Sequence, residues 1–166
     1  LAMEYMPLEG EHSEGAIAAQ LDRLEAEGFL TPLQREAVDA GKLAAFWQSS
    51  IGRAMCRAQG CRRECKFSLL VPAQDYYPGL EGEEVLLQGV VDCWFVDEKG
   101  ITVLDFKSDR VRPGEEGERA AHYAPQLSAY SRALERITGR RVYRKMLWFF
   151  ATSTPVELPP EENFKK

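Results

Sequence analysis

Apolar and polar positions alternate most informatively between Glu84 and Val111, EVLLQGVVDCWFVDEKGITVLDFKSDRV. Two apolar runs, Val85–Val96 and Ile101–Phe106, flank the polar tetrapeptide Asp97-Glu98-Lys99-Gly100. β-Branched and aromatic residues on either side of a short turn predict a β-hairpin. A turn centred on Glu98-Lys99 sets Asp92 opposite Asp105, whereas a slip to Lys99-Gly100 sets Asp92 opposite Lys107. In either register Asp92, Asp105 and Lys107 share a face, because residues two apart on a strand point the same way.

The N-terminal third reads as helices. Ser13 is an N-cap for a helix over Glu14–Glu27, with Ile17, Leu21 and Leu24 at helical spacing and Gly28 as its stop. Thr31-Pro32-Leu33-Gln34 has the capping-box pattern with proline at the first helical position, predicting a short helix to about Ala40. A third helix over Lys42–Ser50 presents Leu43, Phe46 and Trp47 as a packing stripe. Leu1–Gly10 reads as the end of a helix, and the absence of an initiator methionine suggests a piece of a longer protein.

Cys65–Val71 is strand-like, and Pro72–Gly82, with Tyr76 and Tyr77, is a loop. Arg112–Glu118, rich in Gly and Glu, reads as a mobile loop. A helix from Tyr123 to about Thr138 has Pro125 in its first turn, Gly139 as its stop and Leu127, Tyr130, Leu134 and Ile137 as its core stripe. Val142–Phe150 is a continuous apolar strand, so strand, helix and strand suggest a parallel pair with a crossover. Thr152–Lys166 reads as an edge strand and tail. The expected fold class is α/β, a mixed central sheet flanked by helices on both faces under a helical N-terminal layer. It forms one domain over 1–166, with helices over 1–52 and a sheet core over 64–155.

Composition adds little to this but bounds the chemistry. At 166 residues and 45% apolar content the chain can bury a core. No apolar run reaches membrane-spanning length, and no signal peptide is visible. A net charge of −5 argues against a nucleic-acid coat. The basic stretch Ile51–Lys66 holds Arg53, Arg57, Arg62, Arg63 and Lys66 against Glu64 alone. It is a candidate DNA-backbone contact, a solvated face or an interface. Cys56, Cys61 and Cys65 cluster apart from Cys93 without a metal-knuckle spacing, as expected for reduced thiols in the cytosol.

Two carboxylates facing across a ladder repel, and a divalent cation is the simplest compensation. Mg²⁺ takes one or two carboxylates and leaves its other positions to water and phosphate. Lys107 adds a positive charge beside them, placed to stabilise a phosphorane or polarise the attacking water. The plainer alternative is a solvated strand face.

Gly89-Val90-Val91-Asp92, then Asp105-Phe106-Lys107, then Gln126-Leu127-Ser128-Ala129-Tyr130 resembles the PD-(D/E)XK nuclease signature in its RecB-like form. Val103–Val111 is most similar to the C-terminal nuclease domains of AddA-type bacterial helicase–nucleases. The resemblance implies a restriction-endonuclease-like fold and Mg²⁺-dependent DNA hydrolysis, with Mn²⁺ as an alternative and exonuclease action. It implies Asp92, Asp105 and the Phe106 carbonyl as metal ligands, with Lys107 assisting the attacking water. Glu64, in the family's Glu-x-x-Phe pattern, would line the site; Gln126 and Tyr130 would approach it, and Arg110 would border its groove. The implied partners are DNA, an N-terminal helicase part of the same parent chain and a second, AddB-like subunit in the bacterial cytoplasm.

Two departures stand out. The family's first-helix histidine, in a Gly-x-x-His context, has no counterpart, since the two histidines are His12 and His122; the expectation is that it lies upstream. The one-plus-three cysteine layout of its iron–sulfur members is also missing, so no such cluster is expected. The rival reading is a catalytically inactive nuclease-fold module that binds DNA or a partner subunit. Retention of Asp92, Asp105 and Lys107 favours the enzyme. A free-standing restriction-type endonuclease fits the sequence less well, and no G-x-x-x-x-G-K-[ST] loop of an ATPase is present.

Overall fold

The computed structural model describes residues 1–159. Strands β1 (Gly60–Pro72), β2 (Glu84–Asp97), β3 (Gly100–Lys107), β4 (Val142–Phe149) and β5 (Thr154–Leu158) form one sheet in that order. All neighbours are antiparallel except β3 and β4, which are parallel. Asp97 pairs with Gly100, leaving Glu98-Lys99 as the two-residue turn, so the hairpin adopts the first of the two expected registers. Asp97 Oδ1 accepts the Lys99 amide at 2.8 Å, and Gly100 has a φ of 133°, which a side chain would resist. The edge strand expected after Thr152 is β5; residues 160–166 of that segment lie outside the described residues.

Five helices precede the sheet: α1 (Ala2–Tyr5), α2 (Glu14–Ala26), α3 (Pro32–Ala37), α4 (Ala40–Gln48) and α5 (Ser50–Arg57). Ser13 accepts the Ala16 amide, and Thr31 with Gln34 forms the capping box. The second predicted helix stops earlier than expected because Asp39 accepts the Lys42 amide and starts a new helix. Helix α5 was not expected. Ser49 has extended backbone, ends α4, and accepts the Gly52 amide at 3.1 Å to begin α5 inside the basic stretch.

These helices cover one face of the sheet. Ile17, Leu21, Leu24, Phe46, Trp47 and Met55 pack with Cys93, Phe95, Leu104, Met146 and Trp148 from the strands. Phe46 is the hinge of this layer, meeting Trp47, Phe106 and Trp148 edge-on at 5.1–5.3 Å between centroids. The helical aromatics are therefore core, as their spacing suggests.

Helices α6 (Glu116–Ala121) and α7 (Ala124–Thr138) cover the other face. Leu127, Ala133 and Leu134 pack on Ile101, Val103, Leu147 and Phe149. α7 is the crossover between the parallel pair β3 and β4, and it ends on Gly139 in the left-handed conformation. Two expectations are corrected. Ile137 is half exposed and leaves the core stripe. Arg112–Glu118 is no loose loop, because Glu116 is buried, opens α6 and accepts the Gly114 amide at 2.7 Å.

Two glycines mark close approaches. A Cβ on Gly52 would lie 2.2 Å from the Phe46 carbonyl oxygen and 2.8 Å from Trp47 Cα, both backbone atoms. On Gly89 it would lie 2.8 Å from the Phe67 ring and 3.2 Å from the Tyr130 ring. Rings can yield where backbone cannot. Gly52→Ala is therefore expected to cost about 3 kcal/mol or more and lower Tm by roughly 10 °C, and Gly89→Ala about 1–2 kcal/mol. Thermal denaturation of the two variants checks the order; equal losses would contradict it.

Candidate active site

The site begins where two central strands part. The β2–β3 ladder ends at Cys93 opposite Leu104, while β2 continues beside β1 and β3 beside β4. The next pair in that register is Asp92 and Asp105. There the Phe106 amide donates to Asp92 Oδ2 at 2.9 Å, so a side chain takes the place of a ladder bond. On the other side of β2, Glu64 has a φ of 49°, in the left-handed region that non-glycine residues avoid. The β1–β2 pairing skips the Glu64–Asp92 position, and β2 changes face across it. Val91 packs with Phe67 beneath α7, while Cys93, two residues on, packs against the N-terminal helices. This local distortion re-aims the acids.

Asp105 and Lys107 face α7. Asp105 is 2% exposed, and its Oδ2 lies 2.7 Å from Lys107 Nζ. The Lys107 ammonium is thus the charged partner that opposes the desolvation of this buried carboxylate. Lys107 Nζ donates to Gln126 Oε1 at 3.1 Å, and Gln126 Nε2 donates to the Tyr130 hydroxyl at 2.7 Å. The ammonium also sits 3.8 Å above the ring centroid of Tyr123.

Burial pushes the Asp105 carboxyl up to about 6, reinforced by the charge of Asp92 and opposed by Lys107. Burial likewise raises the Glu64 carboxyl, with Asp92 adding to it. The Tyr130 hydroxyl is raised by burial and then by Asp105, Asp92 and Glu64, while Gln126 opposes.

A cavity of about 680 Å³ opens beside the fork, lined by Glu64, Asp92, Phe106, Ser108 and Arg110 together with α1 and α4. Arg110 therefore borders the same opening as Asp92. Arg62 is exposed on β1 opposite Trp94. The Arg63 guanidinium donates to the Met3 carbonyl at 2.7 Å and to that of Met6, so it ties down α1. Tyr76 lies under Arg132, at 5.2 Å from its ring centroid, and packs rather than offering a stacking face. His12 stacks on Trp47 and His122 bonds the Glu118 carbonyl, so neither reaches the site. Cys93, distant in sequence, comes within 3.7 Å of Cys61 as a free thiol. Sequence reasoning missed Tyr123, three residues before Gln126 and thus on its helical face.

PD-(D/E)XK nucleases typically use divalent metal ions, and the residues present suit one. Among the described residues no three His, Cys, Asp or Glu side chains are gathered as a metal cage. The donor set is instead two carboxylates across a fork, one of them buried against an ammonium. A hard cation that binds through one or two carboxylates matches it.

The Asp105 shift has a direction in stability. The folded protein holds this proton more tightly than the unfolded chain, so without a cation the stability contribution of Asp105 falls as pH rises from about 4 through 6. Relative to Asp105→Asn, the unaltered chain should lose up to about 3 kcal/mol between pH 4 and 7.5. Urea denaturation in chelator at several pH values measures the gap; a pH-independent difference would refute the assignment.

Residues 4–163 match the PD-(D/E)XK nuclease superfamily. Relatives named as subunits of an ATP-dependent helicase/nuclease include one from Desulforudis audaxviator, 40% identical over 93% of this chain and 13% of that protein. Those from Acetivibrio thermocellus and Bacillus pumilus are 37% and 34% identical over 81% and 94% of this chain, and 11% and 14% of theirs. The chain thus spans about an eighth of the length of these relatives. With the mixed open sheet, the fork between Asp92 and Asp105 and Lys107 beside it, the chain belongs to the PD-(D/E)XK nuclease superfamily.

Proposed function

We propose that this domain hydrolyses DNA phosphodiesters with Mg²⁺, Mn²⁺ serving as a substitute, and that it acts as an exonuclease. One observation carries the reading. The buried carboxylate of Asp105 sits beside a second acid and an ammonium at the point where β2 and β3 separate. Asp92 and Asp105 would hold the cation, with the Phe106 carbonyl as a further ligand. The cation would supply Lewis acidity, acidifying the attacking water and neutralising charge on the phosphate.

The chain's own side chains do the rest. Lys107 places a positive charge where the phosphorane develops negative charge. Gln126 holds the Lys107 ammonium through Oε1 and the Tyr130 hydroxyl through Nε2, orienting both. Glu64 faces Asp92 and lines the opening, where it can orient the incoming water or substrate strand. Arg110 at the cavity rim and exposed Arg62 are the cations available to backbone phosphates.

The names of the relatives support a parent that couples this module to an ATP-dependent helicase; action in double-strand break repair and recombination, with an AddB-like second subunit, completes the proposal. Such work on DNA would place the parent in the bacterial cytoplasm. Among the described residues no helix is long and apolar enough to cross a membrane.

Labelled linear DNA, single- and double-stranded, tests the reading with and without Mg²⁺. Asp105→Ala and Lys107→Ala are expected to lower hydrolysis by at least about 10²-fold while leaving DNA affinity within a few-fold. Full hydrolysis by Asp105→Ala, or cleavage that persists in chelator, would sink the proposal.

A further inference from the structure

Lysine is a flexible four-carbon arm, and a point charge assists a reaction only if it is held in place. Lys107 Nζ has two polar partners, Asp105 Oδ2 at 2.7 Å and Gln126 Oε1 at 3.1 Å. Asp105 is a contested one, because its carboxylate is also the cation's ligand. A third partner carries no such conflict: the face of Tyr123, 3.8 Å from the ammonium to the ring centroid. At this range an ammonium on a partly buried ring is attracted by the ring quadrupole.

The ring is itself fixed. The Tyr123 hydroxyl donates to Asp109 Oδ2, and Arg119 donates to the same oxygen, 2.8 Å from its Nε. Tyr123 is also the residue that starts α7, one turn before Gln126, so a single helical turn presents both ring and amide to Lys107. Asp109 and Arg119 come from either side of the loop between β3 and α6, which ties the ring to the end of the strand that carries Lys107.

We infer that Tyr123 is a positioning residue for the reaction, its ring holding the Lys107 ammonium at the fork and its hydroxyl locked by the Asp109–Arg119 pair. The inference rests on the proposed role of Lys107 in phosphodiester hydrolysis. It goes beyond that role by naming what keeps the lysine in place when Asp105 engages a cation.

Nuclear magnetic resonance of the metal-free chain reads the contact without activity. The Lys107 Hε protons are expected well upfield of the other lysines through the ring current. Tyr123→Phe keeps most of that shift, and Tyr123→Leu returns the signal to the position of a free lysine. With Mg²⁺ and DNA, Tyr123→Leu is expected to lower kcat about tenfold with KM within twofold, and Tyr123→Phe to stay within about threefold. Circular dichroism confirms that each variant is folded. If Tyr123→Leu does not fold, Tyr123→Met takes its place: it too removes the ring and should abolish the Hε shift.

An unshifted Lys107 signal in the unaltered chain would overturn the inference, as would a shift or a kcat that survives in Tyr123→Leu. No hydrolysis by the unaltered chain with Mg²⁺ would overturn the nuclease reading first and the positioning role with it. Hydrolysis with a normal kcat in Tyr123→Leu would remove the positioning role alone.

Discussion

Two negative charges meet where two strands stop pairing, and most of the structure can be traced to that conflict. Within a regular ladder, Asp92 opposite Asp105 would be repulsive and half-buried. Here the ladder is broken at that step, the Phe106 amide turns to the Asp92 side chain, and Lys107 folds back onto Asp105. The neutralisation is incomplete, since burial and the charge of Asp92 still push the Asp105 carboxyl up to about 6. The cation site proposed for this chain rests on that buried, incompletely neutralised carboxyl.

The rest of the fold keeps the fork open on one side and closed on the other. Phe106, between Asp105 and Lys107, points into the aromatic layer of Phe46 and Trp148 and anchors β3 to the N-terminal helices. Asp105 and Lys107 thereby face α7, whose first turns supply Tyr123, Gln126 and Tyr130. Gly89 allows Phe67 and Tyr130 to close over β2, so its place three residues before Asp92 has a packing reason. Glu64 occupies strained backbone next to Asp92, and strain of this kind persists only where the surroundings enforce it. Arg63, one residue earlier, is part of that enforcement through its bonds to the α1 carbonyls.

Local signals in the sequence were sufficient for much of this. The apolar runs around Asp97–Gly100 predicted the hairpin and left two registers, and the pairing of Asp97 with Gly100 around Glu98-Lys99 decided between them. Caps at Ser13 and Thr31, Gly139 after α7 and the strand–helix–strand order determined the helices and the parallel crossover. The same register brought Asp92 and Asp105 to facing positions and Lys107 to the side of Asp105.

Only tertiary structure decided what each charged group does. Arg62 and Arg63 are neighbours in one basic run, yet one is exposed and the other binds carbonyls of α1, a choice made by a contact about sixty residues away in the chain. Ile137 fits the helical stripe, yet in the last turn of α7 it is exposed. The break in the ladder at Asp92, the left-handed Glu64 and the ring of Tyr123 beneath Lys107 have no local signature either. Each depends on how strands and helices distant in sequence crowd one another, and periodicity reports which face a residue is on, not what it meets there.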